Sequence, residues 1–176
     1  IGDWKAGTDI TMRLVQGIAA ACETSPVVNS WFDGETLSRR LKDEVHVGIA
    51  VDTPEGLFVP VLRDVNHRTM ADLRKGLQNL RDAVATRKIP PAEMQGATIT
   101  LSNFGTMAGQ YANPVVSPPQ VAIIGAGVIR DKVVPVGGKP AVRRILPLSV
   151  TFDHRAVTGG EAARFLGALI QALANP

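Results

Sequence analysis

The stretch Ile145-Leu-Pro-Leu-Ser-Val-Thr-Phe-Asp-His-Arg-Ala-Val-Thr-Gly-Gly-Glu161 constrains the fold more than any other. Residues 145–152 are apolar and β-branched, the composition of a strand with at least one buried face. Asp153, His154 and Arg155 then put three ionisable side chains at the strand's exit, where loops on a rigid scaffold carry chemistry. Thr158-Gly-Gly-Glu161 has the form of a capping box, so a helix is expected to start there. Ala162, Phe165, Leu166, Leu169, Ile170 and Leu173 recur at helical spacing and give that helix an apolar face. Strand, polar turn and helix in succession point to an α/β fold.

This arrangement holds a histidine between two oppositely charged neighbours near a helix N-terminus. An ordinary histidine titrates at about pH 6.5, so neutral imidazole is available to take a proton near neutrality. That makes His154 the best general-base candidate in the chain. The competing reading is a surface or hydrogen-bonding histidine in a turn. Ser102 is a second candidate: it ends a predicted strand and is followed by Asn103 and Gly105, where a hydroxyl can donate to a developing oxyanion. Its competing reading is a turn serine bonded to its own backbone.

The remaining elements follow from periodicity and breakers. Residues 8–23 read as a helix capped by Thr8 or Asp9, with Ile10, Leu14, Ile18 and Cys22 on one face and Pro26 ending it. Residues 27–32 read as a short strand, Asp33-Gly34 as a turn, and 39–44 as solvated loop or frayed helix. Two β-rich runs, 45–52 and 57–62, flank Thr53-Pro-Glu-Gly56 and predict a hairpin. A second long helix spans 69–87, with Thr69 and Asp72 at its start, Leu73, Leu77, Leu80 and Val84 facing the core, and Pro90-Pro91 beyond its end. Strands are expected at 97–102, 121–124, 133–136 and 141–146, the last two around Gly137-Gly138.

Several functional classes fall away. A net charge of +3 is small, and the densest basic cluster (Arg39, Arg40, Lys42) runs into Asp43 and Glu44. With 5% aromatic residues, this is no stripe for nucleic acid. No apolar run approaches a membrane span, and no signal peptide is visible. The three histidines are scattered and no Cys/His spacing suggests zinc or another metal site. Gly125-Ala-Gly127 follows a strand, but the third position of a dinucleotide fingerprint falls on Arg130 and no helix follows. No G-x-S-x-G elbow is present. The single cysteine, Cys22, fits a buried thiol in a reducing compartment.

Taken together, Asp153-His-Arg-Ala-Val-Thr-Gly159, Leu101-Ser-Asn-Phe-Gly105 and Pro119-Gln-Val-Ala-Ile-Ile-Gly125 closely resemble the dihydrolipoamide acyltransferase core of 2-oxo acid dehydrogenase complexes. The run from His46 through Val51-Asp-Thr-Pro-Glu-Gly-Leu57 to Arg63, and Pro91-Ala-Glu-Met-Gln-Gly96, resemble it too. The match spans nearly the whole chain in consistent order. The resemblance implies a chloramphenicol acetyltransferase-like α/β fold, a mixed sheet flanked by helices, in homotrimers that build a larger core. It implies decarboxylase and dihydrolipoamide dehydrogenase partners, coenzyme A as substrate, and lipoamide carried on a separate domain, with no residues assigned to the coenzyme's nucleotide end. It further implies that His154 deprotonates the coenzyme A thiol and Ser102 receives the oxyanion, the two coming from neighbouring subunits. Asp153 and Arg155 would pair to fix the turn, with Asn103 and Gly105 shaping the serine's surroundings.

One position departs from the family pattern: four residues past the histidine most relatives carry Asp or Asn, and this chain has Thr158. A catalytic role for Thr158 competes with a plain helix cap, which threonine also serves. The Thr158-Gly-Gly-Glu161 form leans toward branched-chain members. Residues 1–176 are expected to be one catalytic domain lacking its N-terminal part, with lipoyl and peripheral-subunit-binding domains absent, in the cytoplasm or, in a eukaryote, the mitochondrial matrix. The rival readings are a non-catalytic core subunit and a stand-alone small-molecule acetyltransferase.

Overall fold

The computed structural model describes residues 1, 4 and 8–174. Helix α1 (Ile10–Thr24) is capped by Asp9, whose carboxylate accepts from the Met12 amide at 3.1 Å, so Asp9 fills that position. A hairpin follows, β1 (Ser30–Asp33) with β2 (Ser38–Leu41), and then the short strands β3 (Val47–Ile49), β4 (Val51–Thr53), β5 (Gly56–Phe58) and β6 (Val61–Leu62). Helix α2 (Met70–Ala85) leads to β7 (Ile99–Asn103), β8 (Ala122–Ala126), the ribbon β9 (Arg130–Val136) with β10 (Lys139–Ile145), β11 (Leu148–Phe152) and helix α3 (Gly159–Ala174).

The central sheet runs β11-β8-β7-β3-β6. Its middle strands β3, β7 and β8 are parallel, while β11 and β6 pair antiparallel at the edges. Every residue of β8 is buried, as are Ile99 and Leu101 of β7, because these strands are covered on both faces. Helices α1 and α3 pack closely: a Cβ on Gly17 would lie 2.8 Å from the Leu169 Cδ1, so any larger residue there requires the α3 leucine to shift. The α3 stripe Ala162, Phe165, Leu169 and Leu173 is buried as expected, whereas Leu166 is half-buried and Ile170 exposed at its margin.

Four differences from the sequence expectations have physical causes. The 45–52/57–62 hairpin forms but bends: β3 pairs with β6 in the main sheet, while β4 and β5 continue outside it. The bend falls where Pro60 has no N–H for the ladder and the Ala50 amide donates instead to Leu101 of β7 (3.0 Å). Of residues 39–44, read as loop or frayed helix, 39–41 belong to the strand β2; all four residues of β2 are exposed, so no apolar alternation advertised it. The predicted strand over 27–32 begins only at Ser30, after a 3-10 turn at Pro26–Val28. Residues 145–152 split at Leu146-Pro147 between β10 and β11.

Candidate active site

The histidine turn is built from β11 outward. The Asp153 amide donates to the Val121 carbonyl (2.8 Å), prolonging the β11–β8 pairing by one bond. The Asp153 carbonyl then accepts from the amides of Ala156 (3.0 Å) and Val157 (2.9 Å), closing a tight turn whose exit residues are buried. Across the turn the Asp153 carboxylate accepts from the Arg155 amide (3.0 Å) and from Nε and Nη2 of its guanidinium (3.0 and 2.7 Å). The guanidinium hydrogen bond holds the Asp153 carboxyl below the usual carboxylate range. Asp153 and Arg155 therefore pair as the resemblance implied. His154, between them, is exposed, and its ring packs at a tilt on Phe152 with centroids 5.5 Å apart.

The β1–β2 hairpin braces this turn from outside. The Arg155 guanidinium lies 4.9 Å from the Phe32 ring centroid, and Arg39 donates to the Ala156 carbonyl. Phe32 was not singled out in the sequence, and Arg39 was noted only as part of a basic cluster, not as a site residue. Both sit in a hairpin whose second strand has no apolar pattern, so no local signal could have found them.

Thr158 starts α3. Its Oγ1 accepts from the Glu161 amide (3.3 Å) while its own amide and hydroxyl both donate to Glu161 Oε2 (2.8 Å each). The capping box is complete and reciprocal, with the Glu161 carboxyl held low first by the Thr158 amide. The hydroxyl proton of Thr158 is thus committed to Glu161.

Ser102 lies half-buried near the end of β7, in register with Gly125 of β8. It borders two cavities. One, of ≈ 680 Å³, is walled by Trp31, Leu57, Val59 and Ile123, with Thr100 and Gln120 joined by a 2.7 Å hydrogen bond. The other, of ≈ 340 Å³, is lined by Asp52, Arg81, Asn103 and Met107. Gly105, in the turn after Asn103, lies against the backbone of residues 127–128: a Cβ there would overlap the Gly127 carbonyl oxygen and sit 3.0 Å from the Val128 nitrogen. Gly127 likewise faces the Gln110 carbonyl. The Gly125-Ala-Gly127 run thus allows a close backbone approach beside Ser102.

His154 borders neither cavity. The strand register explains why. Ser102 is level with Gly125, and Gly125 with Ser149, whereas His154 lies five residues further along β11, beyond the Phe152–Ala122 pair. At about 3.3 Å per residue this separates them by roughly 15 Å along the sheet, with two strand spacings across it. One copy of the chain therefore cannot bring both groups to one reacting carbon.

Comparisons with known proteins agree with this architecture. The family model for the 2-oxoacid dehydrogenases acyltransferase (catalytic domain) matches residues 5–176. The mouse dihydrolipoyllysine-residue succinyltransferase component of the mitochondrial 2-oxoglutarate dehydrogenase complex is 36% identical over 162 residues, 92% of this chain and 36% of that protein. The chain thus spans about a third of the length of that relative. Among solved structures, the dihydrolipoamide acetyltransferase of Azotobacter vinelandii superposes with a TM-score of 0.90 at 34% identity, covering 94% of this chain and 68% of that one. That enzyme was studied for the roles of a serine, a histidine and an asparagine in its catalytic mechanism. The cubic core of the pyruvate dehydrogenase multienzyme complex superposes equally well, with the same identity and coverage. Chloramphenicol acetyltransferase, at 15% identity, shares the fold with a TM-score of 0.63 over 96% of this chain and 79% of that one. The chain belongs to the family of 2-oxoacid dehydrogenase acyltransferase catalytic domains.

Proposed function

We propose that this chain is the catalytic domain of a dihydrolipoamide acyltransferase, moving an acyl group from S-acyl-dihydrolipoamide to coenzyme A. The observation that carries the reading is an exposed imidazole presented on a turn braced by Asp153–Arg155, Phe32 and Arg39, in a chain of this family. His154 takes the proton from the coenzyme A thiol, and the thiolate adds to the thioester carbonyl. Ser102 donates its hydroxyl hydrogen to the oxyanion so formed, an interaction worth ~3 kcal/mol in comparable sites. Collapse expels the dihydrolipoyl sulfur, which regains a proton from the imidazolium. Both substrates meet in one passage, so no acyl-enzyme is required.

Because Ser102 and His154 stand at opposite ends of one sheet, the working site is assigned to a boundary between subunits of a homotrimer, and trimers to a larger core. The cubic core formed by the pyruvate dehydrogenase relative supports this assembly. Asn103 and Gly105 would shape the serine's side of the site. Thr158, whose hydroxyl serves Glu161, is assigned the cap, with any catalytic part secondary. Lipoamide would arrive on a separate domain, and the decarboxylase and dihydrolipoamide dehydrogenase components would be partners, in the cytoplasm or the mitochondrial matrix. The branched-chain assignment rests on the Thr158-Gly-Gly-Glu161 form alone, since the relatives compared are named for succinyl and acetyl transfer.

The test is acyl transfer from dihydrolipoamide thioesters to coenzyme A by the assembled protein, with His154→Ala as comparison. A loss of about 10²–10⁴-fold in kcat with assembly intact supports general-base catalysis. Equal rates for the two proteins remove His154 from that role.

A further inference from the structure

The aim of the His154 ring depends on the backbone that carries it. Among the described residues the ring stacks on Phe152, with 5.5 Å between centroids, and no other residue hydrogen-bonds it. The Asp153–Arg155 ion pair closes within the turn itself, so it shapes the turn without fixing its direction. Direction comes from contacts with other parts of the fold. At the entry the Asp153 amide donates to the Val121 carbonyl (2.8 Å), and at the exit Val157 is buried. Between those points, Arg155 and Ala156 are held by the β1–β2 hairpin.

The register of the hairpin suits that contact. Phe32 and Arg39 are direct partners across its antiparallel strands, so their side chains share a face. Phe32 offers its ring to the Arg155 guanidinium, 4.9 Å from the centroid, while Arg39 donates to the Ala156 carbonyl. A Cβ on Gly34, just past β1, would lie 3.4 Å from Arg155 Nη1, so the guanidinium rests against the hairpin's tip as well. The hairpin is itself anchored. Trp31, pointing the other way along β1, donates its N–H to the Ala97 carbonyl at 2.9 Å. The Phe32 amide donates to Pro119 (2.8 Å) and the Lys42 amide to Asn29 (3.0 Å). A fixed arm thus grips the two residues that follow the histidine. We propose that Phe32 and Arg39 are positioning residues for acyl transfer, setting the direction of the turn and so of the His154 imidazole without touching substrate. The proposal rests on the general-base role given to His154 above. A catalytic group displaced by about 1 Å can lose about a hundredfold in rate, so a loosened grip shows in kcat.

The experiment measures kcat and KM of the assembled protein with coenzyme A and whichever of S-acetyl-, S-isobutyryl- and S-succinyl-dihydrolipoamide the wild type uses fastest. Arg39→Met keeps a long unbranched side chain and removes the donor. Its kcat is expected to fall about tenfold or more, with both KM values within about threefold of wild type. Arg39→Lys restores a donor and should recover most of that loss. Phe32→Leu keeps the position apolar, removes the ring face and should lower kcat in the same way. Arg40→Met is the control, on the opposite face of β2 and paired with Trp31; its kcat should stay within about twofold of wild type. A folded Arg39→Met protein with wild-type kcat overturns the inference. So does a change in KM alone, an Arg39→Lys protein no faster than Arg39→Met, or an equal loss in Arg40→Met. If Arg39→Met does not assemble, Phe32→Leu decides by the same split between kcat and KM. His154→Ala is run alongside: transfer as fast as wild type would remove the general-base reading itself, whereas its loss beside unaffected Arg39 and Phe32 variants removes only the positioning role.

Discussion

Replacing Gly105 with alanine drives a Cβ into the backbone of the strand-following turn beside Ser102. The new atom would overlap the Gly127 carbonyl oxygen and lie 2.6 Å from its carbonyl carbon. Ordinary van der Waals contact begins at 3.4 Å, so the two backbones must part by roughly 1 Å. Neither can yield cheaply. The Gly127 amide donates to Pro147 (3.0 Å), the Val128 amide to Gly109 (2.9 Å), and no flexible side chain stands between them. Overpacking costs ~1–3 kcal/mol, and a clash with fixed backbone belongs at the top of that range. For a chain of this size ~3 kcal/mol lowers the melting midpoint by about 6–12 °C. Gly167→Ala is the control: it lies within α3 with open space around its Cβ position and should gain ~0.5–1 kcal/mol. Calorimetry on both variants reads the difference. A Gly105→Ala protein melting within about 1 °C of wild type would refute the close-approach argument.

Thr158→Ala removes the helix-start acceptor and should cost ~1 kcal/mol, seen as a lower melting midpoint, while activity stays within a few fold; a large loss of kcat without loss of stability would give Thr158 a catalytic part. The Asp153 carboxyl titrates below its ordinary value because of Arg155, and the Glu161 carboxyl because of Thr158. Their contribution to stability is therefore present above the ordinary carboxyl range and lost as pH falls below it through the lowered values of the folded state, so denaturant midpoints should drop below about pH 4, and less steeply in Asp153→Asn. Burial pushes the Cys22 thiol up to about 12, so iodoacetamide should leave the native protein unlabelled and label it on unfolding; fast native alkylation would contradict the packing of α1.

The elements that bury a periodic face were legible in the sequence. All three helices begin at capping side chains and carry an apolar stripe, and β8 is a continuous apolar run. The turn between β11 and α3 was legible because capping and ion pairing are local, within five residues. What is non-local was not. Phe32 and Arg39 reach the histidine turn from more than a hundred residues away, out of a hairpin whose exposed Ser-Arg-Arg-Leu strand has no pattern to read. Trp31 and Gln120 enter the Ser102 cavity only because β1 also meets the segment ahead of β8, where the Phe32 amide donates to Pro119 at 2.8 Å. The opposite placement of Ser102 and His154 likewise depends on β11 running antiparallel to β8, and pairing direction is not written in either strand alone.

A site shared between subunits is tested most directly by mixing two disabled chains. His154→Ala and Ser102→Ala proteins, each inactive alone, are dissociated, combined in equal amounts and reassembled. Random assortment around a threefold ring leaves about a quarter of the subunit boundaries with both an intact imidazole and an intact hydroxyl. The account predicts that acyl transfer to coenzyme A returns toward that fraction of the wild-type rate. Mixed assemblies as inactive as their parents would contradict it, because both groups would then have to come from a single chain.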